Sequence, residues 1–304
     1  MTQYLSIDVG GTNIKYAILD GAGHIIFKDK CNTPTQDLAA FLQVIYPIID
    51  QFKAEINGIA FSVPGKVDVK TKTIYYGGSL PFLHDACLQE LIEDKYHIPT
   101  AVENDGKAAA LAEMWLGTLK DVSNGATVVL GTGVGGGLVI EQKLVRGTHF
   151  QAGELSFLVG APTRPINDVM VGTTGSAVKM IMQVNQAVHN PDLKDGLAAF
   201  TAINDGNEAA VAIFKEYCRN LAIVIFNLQA VVDLQRIAIG GGISSQPLVV
   251  KTINEQYLAL IDELGIFKQM ITPVEIVKAR FENDANLYGA LYGLLLQLNH
   301  EEIQ

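Results

Sequence analysis

Three glycine clusters each follow a short apolar run. Gly10-Gly11 comes after Tyr4 to Val9, Gly131-Thr132-Gly133-Val134-Gly135-Gly136-Gly137 after Ala126 to Leu130, and Gly240-Gly241-Gly242 after Arg236 to Ile239. A strand that ends in glycine leaves its last backbone amides bare of side chains, so they can be brought against a ligand. A tight hairpin would account for any one cluster. Three of them after three apolar runs point to a sheet-based fold that delivers glycine turns to a binding site. They are not linkers, because a linker mixes glycine with Ser and Pro over long stretches.

Around these junctions the apolar period alternates between two and 3.6. Leu5-Ile7-Val9 and Ile14-Tyr16-Ile18 read as strands, Asp20 to Gly23 as a turn, and Ile25-Ile26-Phe27 as a third strand. Leu38 to Phe52 has helical spacing, and Gly58 to Val63 is a strand closed by Pro64-Gly65. A helix follows at about 85–95, a strand at 100–103, and a helix at 105–117 with Ala108, Leu111, Ala112 and Trp115 on one face. The opening plan then recurs: a strand at 126–130, a glycine loop, a strand at 138–140 and a turn at Gln142-Lys143. Such an echo predicts two similar α/β domains facing one another. Val211, Phe214, Cys218, Leu221, Ile225, Leu228 and Val232 predict one core stripe along a helix at 207–232. A strand at 236–239, a helix from about 246, a strand at 273–277 and a helix from about 284 complete the pattern. The expected division is a small domain at 1–118, completed by a C-terminal helix at 286–304, and a large domain at 119–285.

A chain of 304 residues is long enough for two domains, and buries enough surface to fold without disulfide or metal. Its formal charge of −10 argues against a surface that tracks nucleic-acid phosphates. No apolar run approaches the ~18 residues of a membrane span. Met1 to Leu5 has neither a basic start nor an apolar stretch. Cys31, Cys87 and Cys218 are too scattered for a disulfide framework. The expectation is a cytoplasmic protein with neither membrane nor nucleic-acid partners.

Two familiar nucleotide motifs fail. Gly131-x-Gly133-x-x-Gly136 follows a strand, but the dinucleotide fingerprint needs a helix to open there, and Leu138-Val139-Ile140 is β-like. The Walker pattern is absent. More specific is Asp8-Val9-Gly10-Gly11-Thr12-Asn13-Ile14-Lys15: a carboxylate at a strand end, two glycines whose amides can form an anion nest, a hydroxyl and a cation. Asp8 beside a polyphosphate implies a hard cation between them. A simple hairpin would require neither Thr12 nor Lys15. Glu103-Asn104-Asp105-Gly106 opens an Ala-rich helix. There Asn104 suits the N-cap and Asp105 the positive end of the dipole, or Asp105 takes a proton from a hydroxyl. Glu154 after Gly153 is by itself only a loop acid.

In combination these stretches, with Ser62-Val-Pro-Gly65 and Gly240-Gly-Gly-Ile-Ser244, resemble the ROK family of sugar kinases. Asn283 to Ala290 resembles that family's C-terminus. Trp115-Leu-Gly117, Leu144-Val-Arg-Gly147 and Ala152-Gly-Glu154 look most like bacterial β-glucoside kinases. The resemblance implies an α/β, two-domain, actin-like (ribonuclease-H-like) ATPase fold with ATP and sugar in a central cleft. It implies Asp105 as the base that activates a sugar 6-hydroxyl, with Gly65, Asn104, Asp105 and Glu154 binding sugar. Asp8, Gly10, Gly11, Thr12, Asn13, Lys15, Thr132 and Gly133 would hold the phosphates, with Mg²⁺ near Asp8, and Gly241-Gly242 the adenosine. A homodimer is implied on the same ground alone.

Ser156-Phe157 stands where most members have Gly-His, and Pro162 to Gly175 lacks the family's zinc cysteines. No structural zinc is therefore expected. Phe157 could make room for, or stack on, an aglycone or second sugar. Glucokinase and N-acetylmannosamine kinase are the alternative activities. A repressor of the same family would carry an N-terminal helix-turn-helix, for which Asp8 lies too near residue 1. An ATPase or acetate-type kinase sharing the actin-like core is disfavoured by Glu103-Asn104-Asp105 and Gly153-Glu154, whose hydrogen-bonding groups suit a polyol acceptor.

Overall fold

The structure, a computed structural model, describes residues 2–160 and 165–300. β1 (Gln3–Val9), β2 (Asn13–Asp20) and β3 (Ile25–Asn32) open the chain, followed by α1 (Leu38–Phe52) and β4 (Ile56–Val63). Then come β5 (Lys66–Asp68), β6 (Thr73–Tyr75), α2 (Leu88–Tyr96), β7 (Thr100–Asn104) and α3 (Asp105–Trp115). β8 (Gly125–Leu130), β9 (Val134–Ile140) and β10 (Lys143–Val145) lead into α4 (Ile166–Val169), α5 (Val171–Thr174), α6 (Ala177–Ala187), α7 (Gly196–Asn204) and α8 (Glu208–Val232). β11 (Arg236–Gly240), α9 (Pro247–Glu263), β12 (Glu275–Lys278) and α10 (Ala285–Leu298) close it.

The predicted echo is a repeat of sheet order. One five-stranded sheet runs β3-β2-β1-β4-β7 and the other β10-β9-β8-β11-β12. In the first, β1, β2 and β3 pair antiparallel through short turns, while β4 and β7 pair parallel after helical crossovers. In the second, β9 and β10 are antiparallel and β8, β11 and β12 parallel. Parallel partners need a crossover long enough to hold a helix, which α1, α2, α8 and α9 supply. No described helix is long and apolar enough to cross a membrane.

The first sheet is covered on both faces, because its strands alternate two apolar sets. Leu5, Ile7, Val9 and Ile14 pack with Phe41, Ile45 and Ile49 of α1 and Leu88 and Ile92 of α2. On the opposite face Tyr4, Ala17, Leu19, Ala60 and Ala101 meet Leu287, Leu291 and Leu294 of α10. Ser6 Oγ donates to Leu287 O at 2.7 Å on that same face.

Two expectations are corrected here. β9 begins at Val134, so Gly135 to Gly137 belong to a strand and the loop ends at Gly133. The second concerns α3, which is buried from Gly106 through Glu113 instead of along one stripe. Its alanines admit neighbours on several sides. A Cβ on Gly289 of α10 would stand 1.6 Å from Ala108 O, and one on Gly137 of β9 2.5 Å from Ala110 Cβ. Trp115 stacks on Tyr292 with centroids 5.2 Å apart and 5° between planes.

The chain divides into two compact units: 1–120 with 137–153 and 283–304, and 121–136 with 154–282. Residues 137–153, read from the sequence as part of the large domain, pack with the first unit. The last four residues of the helix expected at 286–304 lie outside the described residues. In the second unit α8 buries Phe214, Cys218, Leu221, Ile225 and Leu228, while Val211 and Val232 are half-buried. Burial pushes the Cys218 thiol well above its usual range, so it behaves as a small apolar side chain.

Candidate active site

In the first unit a polar row crosses the whole sheet. Lys30, Lys15, Asp8, Ser62 and Glu103 stand directly opposite one another on β3, β2, β1, β4 and β7. Asp8, Ser62 and Glu103 are each the penultimate residue of a parallel strand. Ligands of open α/β sheets bind beyond such carboxyl ends.

Asp8 is buried. Its Oδ1 accepts from Asn286 Nδ2 at 2.9 Å, and its Oδ2 lies 3.4 Å from Lys15 Nζ. Lys15 also donates to Asn283 O at 2.9 Å, so the expected phosphate cation is held between Asp8 and the approach to α10. The intervening turn is pinned by Gly10 N to Asn13 O at 3.0 Å and by Thr33, whose Oγ1 donates to Gly10 O at 2.7 Å. Gly11 and Thr12 are exposed, and their amides donate no hydrogen bond among the described residues. Those amides fit an anion. Among the described residues no three His, Cys, Asp or Glu side chains gather as a metal site. Mg²⁺ commonly takes one or two carboxylates and completes its shell with phosphates and water. The single Asp8 carboxylate fits that partial set.

The β7–α3 junction fixes the candidate base. Asn104 is extended at φ −67°, ψ 145°, and its side chain caps α3 by accepting from Lys107 N at 3.1 Å. Asn104 Nδ2 donates to Gly65 O at 2.8 Å and to Asp105 Oδ1 at 3.0 Å, and Gly106 N donates to the same Oδ1 at 2.7 Å. Two donors on one oxygen orient the Asp105 carboxylate. Gly65 can present its carbonyl there because its φ is +94° and any Cβ would fall 2.2 Å from Tyr76 O. Glu103 Oε1 accepts from Asn104 N at 2.9 Å, and Glu103 Oε2 pairs with Arg146 Nη2. Both side chains are buried, Glu103 4% and Arg146 3% exposed.

The second unit holds the other expected residues. The 131–133 loop is closed by Gly131 N to Gly133 O at 3.1 Å and tethered by Ala177 N to Gly131 O at 3.0 Å, with Thr132 at its tip. Ser156 Oγ accepts from Val134 N at 3.0 Å and donates to Val134 O at 3.1 Å. Ser156 thus ties the loop's exit to the single 3₁₀ turn Leu155–Phe157, which Glu154 precedes. Phe157 is 67% exposed. Gly241 passes the end of β8 at φ +89°, where a Cβ would meet Leu130 O at 2.1 Å. Ser244 Oγ and Ser245 Oγ donate to the carbonyls of Gly241 and Gly242 at 2.8 and 2.9 Å.

Gly65, Asn104 and Asp105 therefore form one hydrogen-bonded set, Asp8 and Lys15 another, and Gly133 neighbours the turn after Glu154. Sequence reasoning did not find Asn286, Thr33, the Ser156 tether or the partner of Arg146. Each acts on a residue far along the chain, where local spacing carries no signal.

The ROK family sequence profile matches residues 4–296. A β-glucoside kinase from Listeria innocua is 30% identical over 302 residues, covering 98% of this chain and 99% of the relative. A ROK family protein from Streptococcus pneumoniae, solved in complex with sucrose, is 29% identical with a TM-score of 0.87, covering 98% of this chain and 100% of that one. A ROK family glucokinase from Streptomyces griseus, solved with glucose and AMPPNP, shares the fold at 22% identity and a TM-score of 0.80, covering 95% and 98%.

Proposed function

The chain belongs to the ROK family, and from that premise we propose that it transfers the γ-phosphoryl group of ATP to the 6-hydroxyl of a hexose or β-glucoside. The observation that carries this reading is the β7–α3 junction, where Asn104 and Gly106 both donate to Asp105 Oδ1. Asp105 takes the hydroxyl proton as the sugar oxygen bonds to the γ-phosphorus and the bond to ADP breaks. The proton then leaves to solvent. Asn104, Gly65 and Glu154 hold other sugar hydroxyls. The amides of Gly11 and Thr12, with Asn13 and Lys15, and the Thr132-Gly133 loop receive phosphate oxygens, while the Gly10 amide holds the turn through Asn13 O, and Gly241-Gly242 lies against adenosine. Mg²⁺, held with ATP at Asp8, supplies charge neutralisation for the transferred group.

Phe157 supports a preference for a β-glucoside acceptor. Its exposed ring, three residues after Glu154, would offer an apolar face to an aglycone or second sugar, where a histidine would offer a hydrogen bond. Similarity to a β-glucoside kinase and to a protein that binds sucrose supports that preference. The same reading takes the protein as a cytoplasmic homodimer, by family analogy.

An ATP-coupled assay across glucose, N-acetylmannosamine, fructose-type hexoses and β-glucosides, with and without EDTA, tests it. Sugar-dependent, EDTA-sensitive turnover that favours a β-glucoside is expected. Preference for glucose or N-acetylmannosamine would move the acceptor to those alternatives. ATP turnover indifferent to every sugar would overturn the kinase reading.

A further inference from the structure

We propose that Arg146 and Glu103 are a positioning pair that sets the register of Asn104 and Asp105. Glu103 sits one residue before the end of β7 and uses its two carboxylate oxygens differently. Oε1 accepts from the backbone N–H of Asn104, and Oε2 is pinned by Arg146 Nη2. Arg146 directly follows β10 and heads a turn closed by Ala152 N to Arg146 O at 3.1 Å and Phe150 N to Gly147 O at 3.2 Å. The guanidinium therefore comes from a fixed piece of backbone.

The energetics argue against a purely stabilising pair. Arg146 Nε and Nη1 are buried and have no hydrogen-bond partner among the described residues. Buried donors left unmatched cost stability, and a buried ion pair often does no better than apolar side chains of similar volume. What the pair does secure is orientation. With Oε2 fixed, Oε1 holds the Glu103–Asn104 peptide, the last one within β7. Asn104 follows that peptide in an extended conformation, and Asp105 is the first helical residue. A rotation there would swing both side chains, including the two hydrogen bonds that Asn104 Nδ2 makes to Gly65 O and Asp105 Oδ1. Arg146 thus acts on the base through Glu103 and Asn104 rather than on substrate. This rests on the kinase reading above.

The test compares R146M, R146K and E103Q with wild type, and R146M/D105N with D105N. Displacement of a reacting group by about 1 Å can cost 10²-fold in rate. R146M should thus lower kcat about 10²-fold, raise the KM for sugar and leave the KM for ATP within about twofold. R146K restores the charge without the planar fork and should recover part of the loss. E103Q is nearly isosteric and still accepts from Asn104 N. It keeps the test available should R146M fail to fold, and its kcat should fall with unchanged KM for ATP. In the D105N background the R146M loss should nearly vanish, because residues acting as one unit are not additive. A wild type with no sugar-dependent turnover overturns the kinase reading and this inference with it. An active wild type beside folded R146M or E103Q of equal kcat overturns the positioning role alone, as do losses that multiply in R146M/D105N.

Discussion

Asn104 serves three purposes through one amide: it caps α3, binds the Gly65 carbonyl and orients the Asp105 carboxylate. Asp105→Asn nearly preserves size and keeps a residue tolerated at helix starts. It removes the capacity to accept a proton, so kcat should fall by about 10²–10⁴-fold. The melting temperature should change little, and ATP binding by calorimetry should survive. A folded D105N that binds both substrates and keeps wild-type kcat would remove Asp105 from the mechanism. Ser156→Ala tests a second junction. It deletes both bonds to Val134, at about 1 kcal/mol of stability. If the Thr132-Gly133 loop holds phosphate, the KM for ATP should rise severalfold while the KM for sugar moves less. An unchanged KM for ATP would separate Ser156 from the nucleotide. The junction that carries Asp105 was legible because its signal lies in adjacent residues, a strand end running into a helix start. The pairing of Glu103 with Arg146 was not, since it joins residues brought together only by the packing of the β10 segment.

Among elements, the pairing of α3 with α10 makes the sharpest demand on side-chain size. Gly289→Ala places a Cβ 1.6 Å from Ala108 O, and the two helices must separate. Overpacking of this kind costs about 1–3 kcal/mol or more, so a clear drop in melting temperature is expected. Gly293→Ala, one turn along, meets only Leu111 Cδ1 at an ordinary 3.5 Å. Removing a helical glycine should stabilise by up to about 1 kcal/mol. Equal melting temperatures for the two variants would contradict the close crossing. Elements were readable where side chains set a period: Leu38 to Phe52 is helix at the limits its spacing gave. Gly135 to Gly137 looked like loop because glycine has no side chain from which to read a period, although the backbone there is strand. The stripe assigned to α3 failed for the opposite reason. Alanine is small enough to be buried on every side, so burial there follows the neighbours rather than the helix's own pattern.

For the molecule as a whole, the repeat was visible in sequence as a recurring strand, glycine turn, strand and hairpin, whereas the shared strand order comes from pairing between distant segments. Membership of 137–153 in the first unit was not visible, for it depends on the close approach of Gly137 in β9 to Ala110 of α3. The units interleave along the chain, with breaks after residues 120, 136, 153 and 282. Ending the chain at Glu282 would strip α10 from Tyr4, Ala17, Leu19, Ala60 and Ala101 and leave Asp8 without Asn286. That truncation should yield insoluble protein on expression, whereas recovery of a soluble, cooperatively melting product would show that α10 is dispensable to the first unit. The same order of segments has a consequence during synthesis. By the time α10 emerges from the ribosome, every strand of the first sheet and the whole of the second unit have already been made. One face of that sheet has therefore waited uncovered through most of translation, apolar and available to any partner that offers a helix. Nascent-chain folding of the first unit should be completed last, although its sequence begins the chain, and the cell's holding chaperones should meet this face first.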